Sequence, residues 1–164
     1  MLVVFLLPIV IVGGSWTILR LSSRNQPKTL APEFTLTDID NNMFSLSSFR
    51  GKIVVLDFMA TWCSACNQQI PNLEKIWETY RGDIVIISID IDLSESTERL
   101  RAFTQQYTNA TWTWARDVAN LVQTYQVTGM PKTVVIDQNG FVRFTHVGVT
   151  DSSTLIQEIA QLLD

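Results

Sequence analysis

At 164 residues with a formal net charge of −4, the chain has room for one domain and a short appendage. Hydrophobic residues make up 46% and charged residues 17%, a globular composition with an apolar supplement. No basic excess points to a nucleic-acid partner, and no internal repeat, low-complexity tract or long charge run appears.

The apolar supplement comes first. Leu2 to Leu19 carries no charged side chain and Arg20 closes it. A run of about 18 residues is the length that reads as a membrane-spanning helix. Pro8 and Gly13-Gly14 would weaken a soluble helix but are tolerated in a membrane span. A cleaved signal peptide and a buried core helix are the rival readings. Against them, no A-x-A-like site follows, the first alanine being Ala31, and no polar face interrupts the run. Residues 1–21 are therefore expected to be an uncleaved anchor. Arg20, Arg24 and Lys28 follow it and nothing basic precedes it, which by the positive-inside rule would keep the remaining domain cytoplasmic.

Residues 22–32 are polar and carry two prolines, so they read as a linker ahead of a domain over 33–164. "FTLTD" and "MFSLSSF" around "IDNN" suggest a short hairpin. Lys52–Ala60 is a continuous apolar run of the kind found in a buried central strand. From Cys66 to Tyr80, Ile70, Leu73, Ile76, Trp77 and Tyr80 fall at helical spacing, with Pro71 expected to kink the helix. Asp83–Ile91 is a second buried strand, and the segment opening at Ser94 reads as a capped helix with Leu100 and Phe103 on one face. "ATWTWA" suggests a short strand, and the helix after it is expected to be capped by Asp117. Asn139-Gly140 marks a hairpin turn, and Asp151 caps the last helix. Strand–helix–strand units followed by an antiparallel hairpin predict a mixed α/β sheet with helices on both faces.

Both cysteines of the chain, Cys63 and Cys66, sit at the junction of the first buried strand and the helix after it. A bridge that closes so small a loop stabilises little, so chemistry is the better reason for the pair. A helix N-terminus favours an anion, and in C-x-x-C motifs it lowers the pKa of a thiol. Cys63 is placed to be the attacking sulfur, and Cys66, one turn further in, the resolving one. Half of a zinc site has the same spacing, but only His146 could supply a nitrogen ligand, so no metal is expected. A peroxidase would need a single peroxidatic cysteine rather than a vicinal pair.

"VVLDFMATWCSAC" resembles the active-site segment of thioredoxins, and "GMPKTVVID" resembles the segment that carries their cis-proline. The leading "APEFTLTDIDNNMFSLSSFRGK", and an additional helix and strand between Ile91 and Arg116, resemble the TlpA-like membrane-anchored thiol-disulfide oxidoreductases. The resemblance covers Ala31 to the C-terminus. It implies an α/β thioredoxin-like fold with an N-terminal β-hairpin and a helix–strand insert, preceded by a transmembrane helix.

For the site, the resemblance implies that Cys63 and Cys66 form the redox pair, with Pro131 in cis beside them. Met130 would offer its backbone to an extended substrate and Trp62 an apolar platform. Asp57, six positions before Cys63, matches the buried aspartate that thioredoxins use as proton acceptor for the second cysteine. The alternative is an aspartate bonded to a neighbouring backbone. Met59 stands where thioredoxins usually have tryptophan, Ser64-Ala65 replaces Gly-Pro, and Lys132 stands where cytochrome-maturation members tend to place glutamate.

The expected activity is exchange of the Cys63/Cys66 dithiol with disulfides of client proteins, as an enzyme without a bound cofactor. The resemblance adds a tethered reductant with an extracytoplasmic domain, fed by a membrane thiol-transporting donor. A non-turnover binding module for a client or metal is the alternative function. A cytoplasm-facing membrane-bound thioredoxin is another.

Overall fold

The aliphatic run at Ile53–Met59 has no polar face to give to solvent except Asp57, and it is buried at every position. In the computed structural model, which describes residues 29–163, this run is strand β4 at the centre of a six-stranded sheet. The expected anchor over residues 1–21 lies outside the described residues. Among the described residues, no helix is long and apolar enough to cross a membrane.

The strands are β1 (Thr29–Leu30), β2 (Thr35–Thr37), β3 (Met43–Ser45), β4 (Ile53–Met59), β5 (Ile84–Asp90), β6 (Thr113–Arg116), β7 (Lys132–Ile136) and β8 (Phe141–Val147). The helices are α1 (Ser64–Tyr80), α2 (Thr97–Thr104), α3 (Leu121–Thr124) and α4 (Ser152–Leu163). The large sheet has the order β1-β8-β7-β4-β5-β6, and β2-β3 form a separate hairpin. β4 pairs parallel with β5 and antiparallel with β7, so the sheet is mixed, as the pattern predicted. Thr29–Leu30, inside the segment read as a linker, add an edge strand against β8.

Alternation along β4 divides the core. Ile53, Val55 and Met59 pack with α1, α2, α4 and the two tryptophans of the insert. Val54, Leu56 and Phe58 pack on the other side with Phe34, Leu36, Leu46, Leu121 and Tyr125. The turn Asn139-Gly140 needs a left-handed residue, and Gly140 supplies it at φ +86°.

Capping departs from the sequence reading in two places. Ser96, not Ser94, caps α2, its Oγ accepting from Arg99 N at 3.2 Å. Ser94 is held in a turn, donating to Asp92 through N and Oγ at 2.9 and 2.6 Å, so it cannot serve the helix. The helix expected after Asp117 is only Leu121–Thr124 and starts from Asn120. Asp117 still satisfies its first N–H groups, accepting from Leu121 and Val122 at 2.8 and 2.9 Å. α1 runs on through Pro71 to Tyr80 as one helix. Asp151 caps α4 as expected, accepting from Thr154 N at 3.0 Å.

Candidate active site

β4 ends at Met59 and α1 begins at Ser64, so four residues make the crossing and Cys63 is the helix N-cap. Cys63 and Cys66 are joined in a disulfide with Cα atoms 5.2 Å apart. The N–H of Cys66 points to Cys63 Sγ at 3.1 Å, so the sulfur takes the place of a capping oxygen. Cys63 is 8% exposed and Cys66 only 1%. The second sulfur is the deeper one.

The crossing is held from the insert. Glu95, itself buried, accepts from Thr61 N at 2.9 Å, from the Thr61 hydroxyl, and from Arg99 Nε at 2.6 Å. Burial opposes ionisation of Glu95, but these donors outweigh it and hold the carboxyl below its ordinary value. Asp92 accepts the Trp62 indole N–H at 2.7 Å. Donors from Ser94 and Trp62 hold the Asp92 carboxyl below its ordinary range as well. Trp62 stays 60% exposed beside Cys63.

Beneath the crossing the polarity reverses. Asp57 projects from β4 on the α1 side and is 1% exposed. Among the described residues its one hydrogen bond is from the Ser88 hydroxyl to Oδ2 at 3.0 Å. Oδ1 is buried with no partner among the described residues, as is Oγ1 of Thr133, the residue opposite Asp57 on β7. Burial pushes Asp57 up to about 7, and the Ser88 bond offsets only part of that. The edge-like, backbone-bonded alternative does not describe this carboxyl. Asp90, two residues beyond Ser88, is raised to about 6, chiefly by burial against a bond from Asp92 N.

The Met130–Pro131 peptide is cis. Met130 is half-buried against the cluster that contains both cysteines. Pro131 is buried, and its carbonyl accepts from Gly148 N at 2.8 Å. Lys132 is buried on the opposite side of the sheet, donating to the carbonyls of Tyr125 and Gln126 at 2.7 and 2.8 Å. His146 pairs with Glu158 at 3.0 Å, an ordinary strand residue as read.

Sequence reasoning singled out Asp57, Trp62, Cys63, Cys66, Met130 and Pro131; it did not single out Asp92, Glu95 and Ser88, which hydrogen-bond to Trp62, Thr61 and Asp57. A signal for the first two was present: "DIDLSESTE" clusters acids after the C-terminal end of a strand parallel to β4, the end at which α/β sites form.

Comparison with known proteins agrees with this geometry. A model of the AhpC/TSA family matches residues 27–145. Thioredoxin-like protein YneN of Bacillus subtilis is 30% identical over 130 residues, covering 79% of this chain and 76% of that one. Thiol-disulfide oxidoreductase ResA of Bacillus thuringiensis is 30% identical over 113 residues, covering 68% of this chain and 64%, just under two thirds, of its own length. A crystal structure from Chlorobium tepidum, assigned as thiol:disulfide interchange protein DsbE, superposes with TM-score 0.76 at 31% identity, covering 84% of this chain and 97% of that one. With the family model spanning most of the sequence and the C-x-x-C disulfide at its N-cap, the chain belongs to the AhpC/TSA family of thioredoxin-like proteins.

Proposed function

We propose that this chain is a protein thiol-disulfide oxidoreductase that reduces client disulfides with the Cys63/Cys66 dithiol. In this reading its N-terminal segment tethers it to a membrane, with the redox domain extracytoplasmic. The observation that carries the activity is the asymmetric disulfide, one sulfur capping α1 and the other buried one turn deeper. The relatives named thiol-disulfide oxidoreductase and thiol:disulfide interchange protein support it.

In the forward half-reaction the Cys63 thiolate attacks one sulfur of the client disulfide, and the other leaves as a thiolate. The Cys66 thiol then gives its proton to Asp57 and attacks Cys63 Sγ. This closes the Cys63–Cys66 disulfide and releases the second client sulfur. Two electrons pass to the client, and a membrane thiol-transporting donor returns them to the enzyme. Asp57 suits the proton-acceptor role because it is buried, titrates near 7 and keeps an unpartnered oxygen. An extended client lies along Met130, just outside the β7 ladder that starts at Lys132, with Trp62 as the apolar wall.

Mutant trapping tests this. Cys66→Ser accumulates covalent client complexes that dissolve in dithiothreitol, and Cys63→Ser traps almost none and loses turnover. Reversed behaviour would exchange the two roles. Trapping by neither would leave a binding module. The tether is tested by fractionating the full chain against a chain starting at Ser22; equal recovery in the soluble fraction refutes it. Protease access to intact cells settles the side.

A further inference from the structure

The insert brings two tryptophans, Trp112 and Trp114, that the dithiol chemistry leaves without a task. Both are buried, their rings stacked at 5.6 Å. Trp114 spends its indole N–H locally, on Ala110 O at 3.1 Å. Trp112 does not. Its indole N–H reaches across to β5 and donates to Ser88 Oγ at 3.0 Å. Ser88, itself 0% exposed, is the residue whose hydroxyl donates to Asp57.

An indole N–H can only donate, so Ser88 must use a lone pair on Trp112. Its one O–H proton is thereby free to point at Asp57 Oδ2, where it favours the carboxylate over the carboxylic acid. We propose that Ser88 and Trp112 are positioning residues that set the proton affinity of Asp57, Trp112 orienting the serine hydroxyl and the hydroxyl holding the carboxylate. The proposal deepens the reading of Asp57 as proton acceptor and rests on it for its catalytic meaning.

No charged neighbour does this work instead. Among the described residues, no ion pair enters the Asp57 shift. On this face β7 contributes Thr133, β6 contributes Trp114, and the residue just before β6 is Trp112, all uncharged. β5 adds Asp90 near the crossing. Helix α1 contributes Cys66 and keeps Glu74, Lys75 and Glu78 off its buried positions. On β8, His146 stands in the same cross-strand row as Asp57, one strand beyond Thr133, and is engaged there by Glu158 of α4 at 3.0 Å. From α2, Arg99 is bound to Glu95, and Arg101 donates to Ile39 O.

The test follows the Asp57 side-chain carboxyl by ¹³C NMR across pH in the oxidised full chain in detergent micelles, where neither cysteine titrates. Ser88→Ala is expected to raise the midpoint by about 1–2 pH units, the worth of a hydrogen bond to a charged group. Ser88→Thr, which keeps the hydroxyl, holds the wild-type midpoint. Trp112→Phe shifts it the same way by less, and adds nothing in the Ser88→Ala background, because Trp112 acts through Ser88.

An unmoved midpoint in Ser88→Ala overturns the proposal, and an additive Trp112→Phe shift overturns the part given to Trp112. If Trp112→Phe does not fold, the Ala and Thr variants at Ser88 decide. The rate at which Cys66 resolves a mixed disulfide, measured in Asp57→Asn, is a separate readout. An unchanged rate there removes the proton-acceptor role, whatever the titrations show.

Discussion

The crossing between β4 and α1 has carboxylates above and below it, and they behave in opposite ways. Both are shielded from solvent, Glu95 at 6% and Asp57 at 1% exposed, but Asp57 lies deep in the central strand and Glu95 nearer the surface in the insert. The number of donors widens that difference. Glu95 takes two from Thr61 and one from Arg99, and its carboxyl is held low. Among the described residues Asp57 takes one, from Ser88, with no partner for Oδ1, and it rises to about 7. A buried carboxylate with a full set of donors is a structural clamp, whereas one left short of donors becomes a titrating group at neutral pH.

The sharpest break of this contrast is kinetic. Asp57→Asn is expected to slow resolution of a mixed disulfide by about 100-fold near neutral pH, the usual worth of a general base. The inflection near pH 7 should vanish from the pH–rate profile. Stopped-flow single-turnover measurements with a disulfide-bonded peptide check both.

Stability should respond with opposite signs at the two carboxylates. Asp57 has its folded pKa raised from 3.8 to about 7. Its neutral form therefore favours folding fully below pH 3.8, and that contribution is lost as pH rises to about 7. Asp57→Asn should stabilise the oxidised protein above that window by on the order of 2–4 kcal/mol and give no such gain in acid. Glu95 has a lowered folded pKa, so its contribution is present above its ordinary value of 4.5 and lost as pH falls through the folded value. Glu95→Ala should cost about 2–3 kcal/mol at pH 7, because it strands the Thr61 donors and Arg99. Glu95→Gln, which keeps an acceptor oxygen, should cost less. Urea denaturation at pH 4 and pH 8 separates the four cases.

The smallest effect is expected at the exposed member of the clamp. Asp92→Asn weakens the hold on the Trp62 indole, which reports through a change in tryptophan emission. It should raise KM for a disulfide peptide by about twofold with kcat unchanged, the mark of lost ground-state positioning. A fall in kcat instead would move Trp62 from client contact into the chemistry.

The pattern of the chain determined a good deal by itself. The buried run ending at Met59, the vicinal cysteines at the head of the next helix, the Asn139-Gly140 turn and the Asp151 cap are contiguous features. Their consequences lie within a few residues of the residues that carry them. Asp57 was legible as an oddity, a carboxylate in an otherwise apolar strand. Its surroundings were not. Trp112 follows Ser88 by 24 residues and Ser88 follows Asp57 by 31, so only the pairing of β4 with β5 and the packing of the insert could join them. The same is true of Glu95, which meets Thr61 across 34 residues of chain. Ser94 and Ser96 offered the same local cap chemistry, and the Asp92 carboxylate decided between them by engaging the first. Local hydrogen-bond and packing rules act over a turn or a strand. The ionisation of a buried carboxyl depends on how many donors distant segments bring to it, and that number exists only once the sheet has closed.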